Sequence, residues 1–483
     1  MKRLLTIFST FILLLTFFAC QATVISTTTS TTLFSETTSI SLTENITTTP
    51  TPVEPFKPIG YSLLQDELDS IGIPSMGKIR LLVFVVDFID APASETGVSL
   101  NMIESAFNGS SDLTAFESLR SYYLKSSYGK LDLIADIFGF YRAKHSASYY
   151  EEEYDKLYAW NDETNDYLYQ EDEVTFPDSD IINELLKYYD EYIDYSEYDF
   201  NKDGYIDGLY VIYSTPVSYD YGSDLWWAYQ DYYIYTNDVF DGVEANYFCW
   251  SGTDFLLEGG RGINARTIIH ETGHMLGLDD YYDYDVSDKY NSGGLGGADM
   301  MDNSVGDHNP MSKILLGWIT PLVVTESMDV NLLPFVDSGE TILLINEWKG
   351  TIFDEFLLIS FYAPTGINFK DRSDIFSIRG VIIYHVNARI GQGYNENSYY
   401  YTLFNNNNTD SIFKFIDIIE ADADGDIFKY SDAENSDLFQ QGDIFRKTIH
   451  ESYNWHQNQL KMNFTVEIIS LTPSQVKIRI EFK

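Results

Sequence analysis

Cysteine and positive charge are what this chain has least of. Its 483 residues hold two cysteines, and 30 Lys and Arg stand against 74 Asp and Glu, a formal net charge of −44. Two cysteines cannot build a disulfide framework. A charge of that sign repels a phosphate backbone, which excludes nucleic acid as a partner. Histidine is scarce as well, with seven in all, and after Glu271 no glutamate occurs until Glu326. The one long apolar run, Leu4 to Phe18, is too short and too close to the start for a membrane span. No repeat at a period of about 20–50 residues is evident, which excludes solenoid and propeller architectures. With 44% hydrophobic residues the chain is not wholly disordered, and its length allows a sizeable core.

What is present begins with an address. Lys2 and Arg3 precede the apolar run, the form of a secretory signal over residues 1–19. It ends in TFFACQ, where small Ala19 stands before Cys20. This resembles the lipobox of bacterial lipoproteins, which implies a lipid on Cys20 and a membrane contact through that lipid only. The alternative is simple release after Ala19. Residues 20–55 are rich in Thr and Ser, with Pro50, Pro52 and Pro55 near their end. Such a segment buries too little apolar surface to fold, and as a coil it spans on the order of 30 Å. The expectation is a tethered, extracytoplasmic, cell-surface protein. Cys249, between Phe248 and Trp250, is expected to pack as a small hydrophobe.

Eleven residues carry the chemistry. HETGHMLGLDD, from His270 to Asp280, has the spacing HExxHxxGxxD. On a helix His270 and His274 project from one face about one turn apart, so both can reach one Zn²⁺. Glu271 stands where a general base for a metal-activated water belongs. Gly277 allows the left-handed turn that ends the helix and returns the chain. That return offers Asp280 as third ligand, with Asp279 and Asp283 as less well-spaced competitors. They are alternatively acceptors that orient the ligand histidines. The missing glutamate downstream argues against the class in which a Glu on a second helix completes the site. The glycine-rich stretch Asn291 to Ser304 carries Met300 and Met301. It resembles the Met-turn of the metzincins, with Met301 as the apolar floor beneath the metal. A plain glycine loop with a core methionine is the competing reading.

Taken together, these residues resemble the immune inhibitor A family of secreted bacterial metallopeptidases, a metzincin branch. The family pattern is close to HExGHxLGLPDxYD, and here it reads HETGHMLGLDDYYD, with Gly273, Leu276, Leu278, Asp280, Tyr282 and Asp283 matching. The departure is Asp279 in place of proline, which loosens the turn and adds a carboxylate. LLVFVVDF, LRSYYLKSSYGKLDL, DFNKDGYIDG, SKILLGW and GVIIYHVN agree in order from Leu81 to Asn387, and the likeness extends to about Asp443. The resemblance implies a zinc endopeptidase acting on protein or peptide substrates.

The expected fold class is α+β. A metzincin-like α/β catalytic domain (residues 56–318) carries the zinc-site helix, and a β-rich, sandwich-like C-terminal domain (319–483) packs against it. Strands are expected over Lys78–Phe88, Leu131–Tyr141 and Gly208–Ser214. Helices are expected over Leu113–Ser126, Asp178–Tyr192 and from about Asn264. Later strands are expected over Thr341–Trp348, Asp354–Tyr362, Gly380–Asn387, Phe464–Leu471 and Gln475–Phe482.

A second cation site is expected in YDFNKDGYIDG. There Asp199, Asn201, Asp203, the Tyr205 carbonyl and Asp207 fall at alternate positions of an EF-hand-like calcium loop, with Gly204 at the bend. Its twelfth position is Tyr210 rather than a bidentate Glu, and an Asn/Asp/Gly turn is the simpler alternative. DADGD (Asp422 to Asp426) reads as an acidic turn. His308 is expected in a surface loop and His385 in a strand with a structural ring. The competing function is a non-enzymatic surface lipoprotein, an adhesin or binding module, against which the retained Glu271 argues.

Overall fold

The computed structural model describes residues 72–483 apart from 158–159, 162–165, 168–175, 218–223, 234–237, 261, 284–293, 372, 396–397, 404–413, 428–431 and 457–460. The signal segment, Cys20 and the tether lie outside the described residues. Those described fall in one compact unit, and none of their helices is long and apolar enough to cross a membrane.

The first half is built on strand β1 (Gly77–Asp87), in which every residue from Leu81 to Asp87 is buried. Burial on both faces suits the centre of a parallel sheet. Strand β2 (Leu131–Arg142) pairs with it in parallel on one side, from Gly77 opposite Leu131. On the other side lies β3 (Leu209–Tyr213), with Leu82 opposite Leu209. Strands β4 (Tyr229–Tyr232) and β5 (Tyr247–Gly252) complete the order β2-β1-β3-β5-β4, with only β4 antiparallel. One face, Leu82, Phe84, Val86, Val211 and Trp250, shares a core with helix α3 (Pro177–Tyr189) through Ile181, Ile182, Leu185 and Leu186. Each such buried side chain stabilises the fold by about 1.5–3 kcal/mol.

On the opposite face lie α1 (Leu100–Asn108), α2 (Leu119–Ser126) and α4 (Arg266–Met275). Tyr210 points there from β3. Its ring meets Phe107 of α1 edge-on at 5.6 Å, and its hydroxyl lies 2.9 Å from the Thr272 hydroxyl of α4. Tyr123 of α2 donates from its hydroxyl to the Ile269 carbonyl at 2.7 Å. Cys249 is fully buried on β5, as a small hydrophobe should be. Helix α2 is shorter than its periodicity suggests. Ser118 caps it by accepting from Ser121 N, and Ala115 N donates instead to Ile263 O at 2.7 Å, so residues 113–118 are not helical.

After Trp318 the chain is dominated by strands. One sheet takes β6 (Leu322–Val324), β8 (Thr341–Leu344), β9 (Glu355–Tyr362), β10 (Gly380–Asn387) and β11 (Ile416–Ile418) in that order. The other takes β7 (Met328–Leu332), β14 (Val476–Phe482), β13 (Phe464–Leu471) and β12 (Ile444–Phe445). Leu357, Ile359 and Phe361 of β9 share a core with Val466, Ile468, Ile478 and Ile480. The alternate residues of β9 face the first half, where Ser360 and Tyr362 line a small cavity with Ala298, His308 and Asn309. Helix α5 (Pro310–Leu315) is anchored by the buried pair of Lys313 and Asp307, 2.6 Å apart. Arg266, at the start of α4, donates to buried Asp371 of the β-rich part, which also accepts from Gly306 N. The metal-site helix is therefore held from both halves of the chain.

Candidate metal centre

Helix α4 ends where the glycine requires. Gly277 has φ 84°, Gly277 N donates to His274 O at 2.8 Å, and Leu278 N reaches back to Gly273 O at 2.9 Å. The reversed chain brings one Asp280 carboxylate oxygen to 2.9 Å from His270 Nε2 and 3.3 Å from His274 Nε2. These three residues form a group of potential metal ligands. Two ligands on a tetrahedral Zn²⁺ with bonds of about 2.05 Å stand about 3.3 Å apart, so the spacing is that of one ion's coordination shell.

The ring orientations are fixed by the backbone. His270 Nδ1 lies 2.7 Å from the Met300 carbonyl and His274 Nδ1 lies 2.8 Å from the Leu278 carbonyl. A carbonyl can only accept, so each Nδ1 carries the proton and each neutral ring turns an Nε2 lone pair towards Asp280. Two lone pairs and a carboxylate oxygen meeting at about 3 Å require a cation between them, either a proton or a metal. Without a metal, protons fill that role. Burial opposes a charged ring at His274, yet Asp280 outweighs it and raises the pKa to about 10. His270 is raised for the same reason, and the Asp280 carboxyl is held well below its usual range. The donor set fits zinc.

Glu271 is buried beside them. Burial lifts its carboxyl above the ordinary range, the two histidines oppose that, and Asp280 adds to it. The turn places Asp280, rather than its two neighbours, against the histidines. Asp279 is exposed, and Asp283 accepts from Lys414 at 3.0 Å. Neither serves as the acceptor for the ligand histidines. Backbone carbonyls do, and sequence cannot announce a carbonyl.

Met301, the expected floor residue, packs against the helix that carries the two histidines. Met301 is fully buried and so close to α4 that a Cβ on Gly273 would overlap its Sδ. Asp299 caps the turn, accepting from Met301 N at 2.8 Å and from Asn309 N at 2.7 Å. Tyr281 N donates to Met301 O at 2.8 Å, joining the return loop to this turn. Two neighbours were not assigned roles from sequence. Tyr282, known only as a match to the family pattern, hydrogen-bonds to Asp280. Asp302 accepts from Gly297 N at 2.8 Å, and burial followed by repulsion from Asp280 raises its carboxyl to about 6.

The calcium-loop residues are gathered into a tight loop. Asp199 accepts from Asp203 N and Gly204 N, both at 3.1 Å, and Asp203 accepts from Tyr205 N at 2.9 Å. Asp207 is buried, accepts from Phe200 N at 2.6 Å, and is pushed by burial and neighbouring acids up to about 7. These carboxylates are not among the groups whose ligand atoms converge within 4.8 Å in the described residues. His308 corrects a sequence expectation. It is not on the surface but 1% exposed, packed among Tyr122, Tyr123 and Trp318, because the β-rich part covers its loop. His385 lies in strand β10, bonded to Glu355 and to Tyr453, each at 2.8 Å, and with Glu355 and His456 it forms a further group of converging potential ligand atoms that its spacing in sequence did not suggest.

Residues 100–301 match the family model described as immune inhibitor A peptidase M6, catalytic domain. That span runs from α1 through the two histidines and the aspartate to the methionine turn, and it defines the chain as a metallopeptidase. Within that class the matched model is that of the immune inhibitor A peptidases, to which this span of the chain is similar. No curated protein matches the chain significantly.

Proposed function

We propose that this chain is an exported zinc endopeptidase of metzincin type, with His270, His274 and Asp280 holding the metal and Glu271 as general base. The observation that carries this reading is the meeting of two Nε2 lone pairs with one aspartate oxygen. Bound zinc supplies Lewis acidity, polarising the scissile carbonyl and bringing a water's pKa towards neutrality. Glu271 takes the proton of the attacking water and delivers it to the departing amine. Burial raises its carboxyl above the ordinary range, the direction that helps a carboxylate hold the proton it has taken. Met300 O and Leu278 O hold the rings in the tautomer that leaves Nε2 facing the metal. Met301 shields the underside of the centre.

The same reading places the catalytic domain at 56–318 and the β-rich domain at 319–483. Residues 1–19 direct export and Cys20 carries the lipid anchor. A structural calcium sits on Asp199, Asn201, Asp203, the Tyr205 carbonyl and Asp207. The decisive experiment measures zinc content together with cleavage of a peptide library, with and without chelator. Glu271→Gln should retain about one zinc while turnover falls by about 10²–10⁴-fold. Proteolysis that survives this substitution removes Glu271 from its role, and a protein without zinc in metal-rich buffer removes the reading altogether.

A further inference from the structure

Away from the metal centre, six carboxylates gather on two segments of the β-rich part. Glu420, Asp422, Asp424 and Asp426 follow β11, and Glu434 and Asp437 return beside them. One oxygen from each of Glu420, Asp422 and Asp437 falls within 4.8 Å of the others. The same holds for Glu420, Asp424 and Asp426, and for Asp422, Asp424 and Glu434. Acidic clusters are common on surfaces, but two members here, Glu420 and Asp437, are buried, the second almost completely. Asp437 is 1% exposed. Its Oδ2 accepts from Glu434 N at 2.7 Å, whereas its buried Oδ1 has no hydrogen-bond donor among the described residues. Asp426 Oδ1 is buried in the same condition. The charges that act on Asp437 are those of Asp426, Asp422 and Glu420, so the lone oxygen belongs to a centre of converging negative charge. Among the described residues these oxygens have neither donor nor counter-charge, a costly condition that native proteins keep rare.

We propose that this cluster is a calcium site, with Glu420, Asp422, Asp426 and Asp437 as its inner ligands. The donors are all oxygen, which excludes the softer metals that prefer nitrogen or sulfur. Calcium bonds of about 2.4 Å accommodate oxygens up to about 4.8 Å apart, wider than the roughly 4.1 Å across magnesium. Multiple carboxylates from two segments also suit the irregular six- to eight-fold shell of calcium. Burial and mutual repulsion already hold the Asp437 carboxyl at about 7 and that of Asp426 at about 6.

The ion would do more than neutralise charge. Ile418 N donates to Gly294 O at 2.8 Å, and Ala433 N donates to Gly296 O at 2.9 Å. A Cβ on Gly296 would strike Ala433. The two segments thus grip Gly294–Gly297 just before that stretch enters the turn carrying Met300 and Met301. Calcium bridging 420–426 to 434–437 closes the grip. None of these ligands belongs to the zinc set, so the site stands apart from the peptidase reading.

The test is calcium added to the full chain after chelator treatment, followed by amide hydrogen exchange. With calcium at about ten times its Kd, exchange across 420–437 and 294–300 should slow by about tenfold. Unchanged exchange across 420–437 overturns the site. Asp426→Asn with Asp437→Asn should lower bound calcium by one ion per chain, and Asp203→Asn should leave that ion in place. Equal calcium in the parent and a folded double variant also overturns it. The exchange measurement on the unsubstituted chain decides the matter even where the double variant fails to fold.

Discussion

Asp280 and Asp437 are both almost fully buried, yet their surroundings pull them in opposite directions. Asp280 sits between two imidazoles, which hold its carboxyl well below the usual range. Asp437 is pushed up to about 7 by burial and by Asp426, Asp422 and Glu420, the charged side chains that act on it among the described residues. The first centre binds protons on its histidines when metal is absent, and the second binds them on its carboxyls. The lesson is that burial alone does not set the behaviour of an aspartate. The sign of its neighbours does, and on the readings proposed above it also selects the cation: borderline zinc where nitrogen joins oxygen, hard calcium where oxygen stands alone.

The comparison can be broken most severely through the scaffold that supports the first centre. Lys313 is fully buried against Asp307, which also accepts from Ser126 at 2.5 Å. Lys313→Met leaves that carboxylate buried without its cation and should destabilise the protein by about 3–5 kcal/mol, read from the denaturant midpoint. Next in size is the hydroxyl that bonds Asp280. Tyr282→Phe should weaken zinc binding by about 10–100-fold while leaving the fold intact, measured by competition with a chromophoric chelator.

Two further tests sharpen the contrast in protons. With its pKa at about 10 in the absence of metal, His274 is protonated at pH 7, and binding zinc must expel that proton. Calorimetry in buffers of different ionisation enthalpy should show about one proton or more released per zinc, and affinity should rise with pH up to about 10. A zinc titration with no buffer dependence would contradict the assignment of Nε2 lone pairs. At Asp437 the sign is reversed. A carboxyl raised in the folded state favours folding below its unfolded pKa near 4, and that contribution is lost as pH rises through about 7. Calcium-free protein should therefore lose stability between pH 5 and 7.5 by more than its Asp437→Asn variant does. Parallel pH profiles for the two would exclude Asp437 as the source.

Much of the first centre was legible because it is local. His270, His274, Gly277 and Asp280 lie within eleven residues, so helix period and one left-handed turn fix their geometry. Strand β1 was legible for a similar reason, since an unbroken apolar run suits the middle of a parallel sheet. What was hidden is non-local. The acceptors for the histidines are backbone carbonyls, one of them thirty positions from its ring. His308 looked exposed because its loop is polar, and strands β9 and β10 that cover it come much later in the chain. The stretch 113–118 carried helical periodicity, but pairing of Ala115 with Ile263 prevailed. DADGD reads as a simple acidic turn, and Asp437, whose carboxylate converges with those of Glu420 and Asp422, lies beyond it in sequence.

The contact between Gly273 and Met301 has a mechanical consequence. Met301 adjoins Met300, whose carbonyl steers the ring of His270, and it also receives the amide of Tyr281 from the return loop. A single methyl group at position 273 would displace the thioether and, through one peptide unit on either route, disturb His270 on one side and Asp280 on the other. The narrowest residue in the helix thus sets the alignment of the proposed zinc ligands, which makes its hydrogen atom as specific a requirement as either imidazole.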